Sequence, residues 1–281
     1  LEQGYLCARN ANRLNFALMW ANHDWYDIHP AKLDCPPRLQ FPGAVTSKTF
    51  EAMTDYIISR YFSSPAYWCI DGRPYFSIYE LATLMRGLGG ADNTRAALHR
   101  FREKAAASGL PGLHLNAVVW GIGMLPGEEA IHSPGELVAY LGIDSITSYV
   151  WVHHHRLADF PATDYAGIAA QAEAFWRTAS REYGVAYHPN VTVGWDSSPR
   201  TVQSDVFCPR GYPFMATLSG NTPERFEHAL RRARAFFDTS GQPPILTINA
   251  WNEWTEGSYL EPDTEHKMAY LEAIARVFIR G

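Results

Sequence analysis

The chain has 281 residues, of which 47% are hydrophobic and 19% are charged, and these proportions are typical of a folded globular protein. The formal net charge of −5 argues against a nucleic-acid or anionic-membrane partner, which would require a basic face. No apolar run approaches the roughly 20 residues that a membrane-spanning helix needs, so membrane insertion is not expected. The four cysteines show no CxxC spacing and neither require nor exclude a disulfide.

Six short apolar segments are predicted to be β-strands. They are rich in β-branched and aromatic residues and are apolar at nearly every position, as in a parallel sheet that is covered on both faces. In chain order they span residues 15–22, 75–79, 114–121, 145–151, 191–196 and 245–251. Their starts lie 31 to 60 residues apart, a spacing that suits strand–helix units better than hairpins.

Helices are predicted between these strands from apolar periodicity and from capping residues. The periodicity predicts a helix over residues 92–109, and further helices fit residues 47–62 and 263–279. Three helix starts are indicated by capping residues, at Ser133 with Pro134, at Asp164 and at Thr222. The glycines expected to follow these three helices are Gly142, Gly184 and Gly241.

The order of these elements predicts an α/β fold, a (β/α)8 TIM barrel. Polar and aromatic residues cluster at the C-terminal ends of the strands, which is where such barrels gather their functional groups. A closed barrel has about eight strands and the sequence shows six. The visible units are therefore expected to be strands 3–8, with the first two upstream of Leu1. Residues 1–281 are expected to be a single catalytic barrel domain that is incomplete at its N-terminus.

The segment WNEWTE at residues 251–256 is the strongest indication of chemistry. It follows the last predicted strand and places two carboxylates, Glu253 and Glu256, among aromatic side chains. Paired carboxylates with flat rings beside them are typical of proteins that cut or build glycosidic bonds. The neighbouring indoles are expected to desolvate a carboxyl group and raise its pKa towards that of a working acid. Solvated loop carboxylates are the alternative interpretation.

Further candidates lie at the ends of the other predicted strands. Tyr149 is predicted to be catalytic, as a donor to the oxyanion that develops or departs. The residues predicted to contact a sugar are Trp20, Asn22, His23, Asp24, Trp25, Tyr79, Trp120, Trp151, Trp195, Asp196, Trp251, Asn252, Trp254 and Tyr259. Arg200 and Arg210 could meet an acidic sugar or a phosphate, although solvated arginines are the default in a loop. Glu261 is expected to brace the final loop, with sugar binding as the alternative.

The run of histidines at residues 153–155 invites a zinc hypothesis. Adjacent histidines point in different directions and cannot all bind one ion, since zinc sites draw on spaced or separate positions. A loop that lines the cleft is the favoured interpretation. No metal and no cofactor is expected.

Three segments of the chain resemble signatures of the WbsX-like proteins, which are relatives of the family 99 glycoside hydrolases, the endo-α-mannosidases. The most specific is AWNEWTEG at residues 250–257, continuing to Pro262. Residues 15–25 (NFALMWANHDW) and 70–79 (IDGRPYFSIY) resemble two further signatures, in family order. The resemblance implies a (β/α)8 barrel whose members carry upstream sequence for the first two units.

The resemblance also implies a reaction. Family 99 enzymes are retaining glycosidases whose two essential carboxylates lie in the same motif. Carried over, Glu253 is the base on the 2-hydroxyl of the sugar and Glu256 is the general acid/base on the leaving oxygen. The 2-oxygen then attacks C1 to give a 1,2-anhydro sugar, which is possible only for 1,2-trans glycosides such as α-mannosides and α-rhamnosides. Family members often carry a different residue at the position of His23.

Three alternatives remain beside a hydrolase of a poly- or oligosaccharide. A glycosyltransferase of polysaccharide biosynthesis is the second candidate, although the sequence has no GxGxxG turn and no DxD-like carboxylate pair for a nucleotide sugar. A carbohydrate-binding protein without activity is the third. A metal-dependent barrel hydrolase is the fourth.

Overall fold

The computed structural model describes residues 1–131 and 134–279. In chain order the strands are β1 (Leu18–Trp20), β2 (Trp25–Tyr26), β3 (Leu39–Phe41), β4 (Cys69–Ile70), β5 (Arg73–Ile78), β6 (His114–Val118), β7 (Ser145–Thr147), β8 (Ala162–Asp164), β9 (Ala186–His188), β10 (Asn190–Val191), β11 (Thr217–Ser219), β12 (Thr247–Ile248), β13 (Asn252–Glu253) and β14 (Ser258–Tyr259). The helices are α1 (Ser47–Ile57), α2 (Leu81–Leu88), α3 (Ala91–Ala107), α4 (Pro134–Leu141), α5 (Tyr165–Glu182), α6 (Pro223–Ser240) and α7 (Ala269–Phe278).

A parallel sheet runs through the molecule in the order β1-β5-β6-β7-β9, and β4 pairs antiparallel with β5. Pro189 separates β9 from β10, and β10 in turn pairs in parallel with β12. The register aligns Leu18 with Phe76, and Asn190 with Thr247 at the other end. Five of the six predicted ranges overlap their strands by two residues or more, whereas the range 191–196 shares only Val191 with β10, because the strand there lies earlier in the chain. The six strands are adjacent in chain order, as successive strand–helix units require.

All six strands end one to five residues before the predicted C-terminal bound, and side chains replace the ladder near some of these ends. Asn22, two residues beyond β1, exchanges two hydrogen bonds with the backbone of Glu80, at 2.7 and 2.8 Å. The Oδ1 atom of Asn249 accepts from the backbone N–H of Val193 at 2.9 Å. These side chains satisfy backbone groups where the strands diverge, and they open the end of the sheet where polar residues gather.

Two of the predicted helix caps are confirmed. The Asp164 carboxylate accepts hydrogen bonds from the backbone N–H groups of Ala166 and Gly167 and starts α5. Thr222 does the same for α6 through the N–H of Arg225. The predicted cap at Ser133 lies outside the described residues. Each cap of this kind contributes about 1 kcal/mol to helix stability.

The other helices differ from the prediction in their bounds. The helix α1 ends at Ile57 and continues as a π-helical turn over Ile58–Phe62. The helix α7 starts at Ala269, six residues later than predicted, because residues 263–267 form a turn around the Asp263 carboxylate. The sequence did not predict α2, which has only eight residues. Within the described ranges, no helix combines the length and the apolar character needed to cross a membrane.

A charged cluster lies at the N-terminal ends of the parallel strands. The Asp144 carboxylate accepts from Arg73 at 3.0 Å, from Arg102 at 2.7 Å and from the backbone N–H of Leu115 at 2.9 Å. Burial alone would raise the pKa of Asp144, but the Leu115 N–H and Arg102 bring it below its usual range. Two guanidinium groups thus neutralise one carboxylate at this end of the sheet.

Candidate active site

A cavity of about 430 Å³ lies at the opposite end, beyond the C-terminal ends of the parallel strands. In barrels of parallel strands this is the end that carries functional groups. Several residues predicted from the sequence line the cavity together: His23, Asp24, Trp25, Tyr79, Tyr149, Trp195, Glu253 and Glu256. Arg200 and Tyr212 also line it.

The two glutamates are brought to one side by a tight turn. The strands β13 and β14 pair antiparallel, and a 3-10 turn of residues Trp254–Glu256 joins them. Glu253 immediately precedes this turn and Glu256 ends it, so the two are three positions apart. Because a 3-10 turn has about three residues per turn, side chains with this spacing eclipse one another. The local backbone therefore directs both carboxylates into the cavity.

Gly257 allows this turn to lie against the loop that follows β10. Its φ of 58° is in the left-handed region, and a Cβ atom there would lie 2.7 Å from the Cβ of Asp196. The backbone N–H of Asp196 donates to the carbonyl oxygen of Glu256 at 2.6 Å. Glycine thus permits the close approach that fixes Glu256 beside Trp195.

Arg200 bridges the two carboxylates. Its Nη1 atom donates to Oε1 of Glu256 at 2.9 Å, and its Nη2 atom donates to Oε1 of Glu253 at 2.7 Å. The Tyr212 hydroxyl donates to the same oxygen of Glu256 at 3.0 Å. One guanidinium group therefore pairs with two carboxylates. Around Asp144, by contrast, two guanidinium groups pair with one carboxylate.

The two carboxylates differ in their environments. The Glu256 side chain is 8% exposed and that of Glu253 is 39% exposed. Burial raises the pKa of Glu256; Arg200 and Tyr212 oppose that change, and the Glu253 carboxylate adds to it. A carboxyl group with a raised pKa can hold a proton and give it to a leaving group.

Tyr149 faces both glutamates from across the cavity. Burial raises the pKa of this tyrosine, and the negative charges of Glu256 and Glu253 raise it further. Its hydroxyl group therefore remains a neutral donor throughout the physiological pH range. The ring of Tyr79 meets it edge-on at 5.7 Å.

The rim of the cavity is formed by the segment after β1. The indole of Trp25 is 59% exposed and lies parallel to the His23 ring at 6.3 Å. The Asp24 carboxylate is occupied elsewhere, since it accepts from the Gly43 N–H at 2.7 Å and pairs with Arg86 at 3.4 Å. Trp25 and His23 are two members of this segment that line the cavity.

Nine of the predicted sugar-contacting residues lie outside the cavity lining, and four of them belong to the first four predicted strands. Asn22 is buried and holds the Glu80 backbone, as described above, and Trp20 packs against Phe50 at 6.0 Å. Trp151 is buried in the main core, where its indole N–H donates to the Asn190 carbonyl at 2.9 Å. Trp120 lies behind the lining and packs on the Tyr79 ring at 4.9 Å.

The aromatic residues of the WNEWTE segment face away from the cavity. Trp254 stacks on Tyr259 at 3.7 Å, and its indole N–H donates to the Glu261 carboxylate at 2.9 Å. Trp251 and Asn252 are exposed and also lie outside the lining. Glu261 therefore braces the final loop. Asp196 accepts from the Ser198 N–H at 2.9 Å and, like Tyr259, borders a neighbouring depression.

The side chains of the three adjacent histidines do not converge on one point, as expected from their spacing. His153 is buried and lines the cavity, and burial lowers its pKa so that it stays neutral. His154 stacks on Phe175 of α5 at 4.0 Å, and His155 lies at the edge of the same ring. Across the described part of the chain, no three His, Cys, Asp or Glu side chains converge as a metal site would need.

The sequence does not predict the roles of three residues near the site. Nothing in the sequence marks Tyr212, and Arg200, expected to be solvated or to meet an acidic sugar, is 16% exposed and hydrogen-bonded to the glutamates. Glu128 was also missed: it accepts from the Tyr79 hydroxyl at 3.1 Å and from the Met124 N–H at 2.8 Å, behind the lining. The proline and glycine residues around Arg200 and Tyr212 indicate a structured loop but not its contacts.

The family model described as Glycosyltransferase WbsX matches residues 4–274, and the chain belongs to this family. Two similar curated relatives are both named Uncharacterized protein WxcX, from two strains of Xanthomonas campestris pv. campestris. Each is 25% identical over 282 residues, which cover 95% of this chain. The match spans 35% of each relative's own length, so the relatives are much longer than the matched region.

Solved structures with a similar fold are glycoside hydrolases or resemble them. The GH99 endo-α-mannosidase from Bacteroides thetaiotaomicron has a TM-score of 0.53 and 15% identity, over 83% of this chain and 61% of its own. A structure described as a glycoside hydrolase-like protein has a TM-score of 0.53 and 14% identity, over 82% of this chain and 60% of its own. The fold is therefore the (β/α) TIM-barrel type of this group, with six of its parallel strands in the described residues.

Proposed function

We propose that this protein is a retaining glycosidase that cleaves a 1,2-trans linkage, of the α-mannoside or α-rhamnoside type, in an oligo- or polysaccharide. The observation that carries the proposal is the pair of glutamates on one cavity wall, joined by a single guanidinium group, with Glu256 buried and Glu253 partly solvated. Two carboxyl groups in different environments can take the separate roles of acid and base. Residues 1–281 supply this site as one catalytic barrel domain.

In the first step Glu253 and Glu256 act on the two oxygens next to the anomeric carbon. Glu253 removes the proton from the 2-hydroxyl group, and the 2-oxygen attacks C1 from the face opposite the leaving group. The bond from C1 to the glycosidic oxygen breaks, and Glu256 gives its proton to that oxygen. The products are the released alcohol, a 1,2-anhydro sugar, protonated Glu253 and ionised Glu256.

In the second step water opens the three-membered ring. Glu256 takes a proton from the water as the water oxygen attacks C1, and Glu253 returns its proton to the 2-oxygen. Both glutamates regain their starting states, and two inversions at C1 give net retention. The raised pKa of Glu256 suits a group that must be protonated at the start and ionised midway.

The remaining lining residues support binding and charge stabilisation in this proposal. Tyr149 is a neutral donor placed to hydrogen-bond an oxygen that gains charge near the glutamates. Trp25 and His23 offer exposed flat surface at the rim, where the C–H face of a pyranose can stack. A cavity of about 430 Å³ accommodates one or two sugar residues.

The test is a screen of the protein against α-mannosides, α-rhamnosides and microbial polysaccharides, without nucleotide sugar, beside the variant Glu256→Ala. Release of sugar by the wild-type protein and not by the variant is expected. The 1,2-anhydro route is tested with a 2-deoxy or 2-fluoro glycoside, which lacks the attacking 2-hydroxyl. Turnover of that compound at the normal rate would contradict the route while leaving the hydrolase assignment in place.

A glycosyltransferase is the second candidate, because the description of the matching family names that activity. It predicts no sugar release in the screen, followed by product formation once a nucleotide sugar is added. The variant Glu253→Gln identifies a sugar-binding protein without turnover. In such a protein the variant would leave the affinity for the sugar unchanged, whereas in a hydrolase it would abolish turnover. Activity with water as the only acceptor decides for the hydrolase.

A further inference from the structure

The hydrogen bonds around the two glutamates are distributed unevenly between their oxygens. In Glu256 the Oε1 atom accepts from both Arg200 and Tyr212, at 2.9 and 3.0 Å. In Glu253 the Oε1 atom accepts from Arg200 at 2.7 Å and from Thr255 at 3.1 Å. No hydrogen bond to either Oε2 atom is present among residues 1–131 and 134–279. Each carboxylate therefore has one occupied oxygen and one open to the cavity.

Arg200 is itself held on every side. Its Nε atom donates to the Thr255 hydroxyl at 2.8 Å, and Nη1 also contacts the Tyr212 hydroxyl. The guanidinium carbon lies 5.9 Å from the centre of the Tyr212 ring. All three nitrogens thus have partners, and the planar fork fixes the angle between the two bonds to the glutamates. Its own loop places it there, since Arg200 ends the 3-10 turn of residues Ser198–Arg200.

We propose that Arg200 is a positioning residue for the reaction: it occupies Oε1 of both glutamates, with help from Tyr212 and Thr255, and leaves the two Oε2 atoms to transfer the protons. This inference rests on the proposed function and deepens it. Proton transfer to the leaving oxygen then takes place at Oε2 of Glu256, and the 2-hydroxyl proton moves to Oε2 of Glu253. Arg200 does not touch the reacting atoms.

Three substitutions separate this role from simple charge balance. Arg200→Met keeps an unbranched apolar stem and removes the fork. Arg200→Lys keeps the charge but, as a single point donor, cannot hold both oxygens at a fixed angle. Tyr212→Phe removes only the second donor to Glu256. The matched control is Arg231→Met, because Arg231 is an exposed arginine on α6 that pairs with Glu227 and lies outside the cavity.

Two readouts are measured on the whole chain. The first is the titration of Glu256 by 13C NMR of glutamate carboxyl groups, with its signal assigned by its absence in Glu256→Gln. The second is the pH profile of kcat and KM for an aryl α-mannoside. Loss of Arg200 removes a cation and a donor from Glu256, so Glu256 should titrate at higher pH in Arg200→Met, and Tyr212→Phe should shift it in the same direction by less.

The kinetic effect should fall on kcat more than on KM, because positioning contributes mainly to the chemical step. We expect kcat to fall roughly 10²-fold in Arg200→Met, since a small misplacement of catalytic groups has an effect of that order. Arg200→Lys should keep less than a tenth of the wild-type kcat although its charge is intact. Arg231→Met should match the wild type in both readouts.

Unchanged titration of Glu256 in Arg200→Met, or full kcat in Arg200→Lys, would overturn the positioning role. Absence of turnover by the wild-type protein on every glycoside would instead refute the proposed function. The NMR titration needs no substrate, so in that case it still decides whether Arg200 controls Glu256. Arg200→Lys and Tyr212→Phe preserve most contacts and provide the answer if Arg200→Met does not fold.

Discussion

The two ends of the parallel sheet carry charged clusters with opposite ratios of arginine to carboxylate. At the N-terminal end Asp144 is paired with two arginines, Arg73 and Arg102. At the C-terminal end Arg200 alone serves Glu253 and Glu256. The pKa of Asp144 lies below its usual range and that of Glu256 above it, although both groups are at least partly buried.

In the proposed function, the difference separates a stabilising cluster from a catalytic one. A carboxylate with surplus positive charge remains ionised and contributes its bonds to the folded state. A buried carboxyl group that shares one cation with a second carboxylate is ready to take up and release a proton. The ratio of arginines to carboxylates therefore distinguishes the two clusters, whereas the presence of ion pairs does not.

The largest expected effect is on activity at the Glu256 end. Glu256→Gln keeps the shape of the side chain but removes the transferable proton, so the rate should fall by about 10²–10⁴-fold. The assay is release of sugar from the glycoside identified in the screen. Glu265→Gln is the matched control, because the Glu265 side chain is 83% exposed. If the Glu256→Gln protein were as active as that control, Glu256 would not be the general acid.

The next effect is on stability at the opposite end. Asp144→Asn leaves Arg73 and Arg102 without their counter-charge and should lower the free energy of unfolding by about 2–3 kcal/mol. Because the cavity lies at the other end of the strands, kcat of the folded variant should not change. Urea denaturation followed by circular dichroism measures the first quantity. A loss of kcat without a loss of stability would mean that the two clusters are coupled.

A third carboxyl group, Glu80, extends the comparison to a group whose pKa is changed mainly by burial. Burial raises its pKa to about 7; the Thr83 hydroxyl and the Glu129 N–H oppose this, and the Glu128 carboxylate adds to it. The folded state therefore binds a proton more tightly than the unfolded chain, in which an ordinary glutamate has a pKa near 4.5. As the pH rises from about 4.5 to about 7, Glu80 should lower the stability by on the order of 2 kcal/mol.

Glu80→Gln isolates this contribution. The free energy of unfolding of the variant should depend less steeply on pH between about 4.5 and 7 than that of the wild type. The measurement is a series of urea titrations at half-unit pH steps. Parallel curves for the wild type and Glu80→Gln would show that Glu80 is ionised in the folded protein across this range.

The smallest effect concerns the aromatic residues near the cavity. Trp25→Ala removes the exposed ring at the rim and should raise KM several-fold, about 1 kcal/mol of binding, with little change in kcat. Trp254→Ala removes the stack on Tyr259 and should lower stability by about 1 kcal/mol without changing KM. The comparison needs only initial rates and thermal melts. Equal effects of both variants on KM would place Trp254 at the substrate as well.

Much of this arrangement was predictable from the sequence. The six apolar runs become adjacent parallel strands, and Asp164 and Thr222 cap their helices as predicted. These features follow from local periodicity and from hydrogen bonds within a few residues. The meeting of Glu253 and Glu256 in one cavity was also predictable, since three positions separate them in a turn.

The directions of individual side chains were not predictable. Trp20, Trp151 and Trp254 belong to strand ends rich in aromatic residues, yet each packs away from the cavity. Their direction depends on where the backbone leaves the sheet, and side chains far along the chain decide that point. The contacts of Arg200 depend in the same way on how its loop folds, and an arginine in a loop sequence carries no sign of its partner.

Gly257 has a consequence for protein engineering. Any side chain at this position would force the turn before β14 away from Asp196, because no space remains for even a methyl group. Because Gly257 has no Cβ atom, the Trp195 and Glu256 sides of the cavity can lie this close together. Libraries intended to widen the substrate range should leave residue 257 fixed and vary the rim around Trp25, where the chain tolerates change without moving the reactive groups.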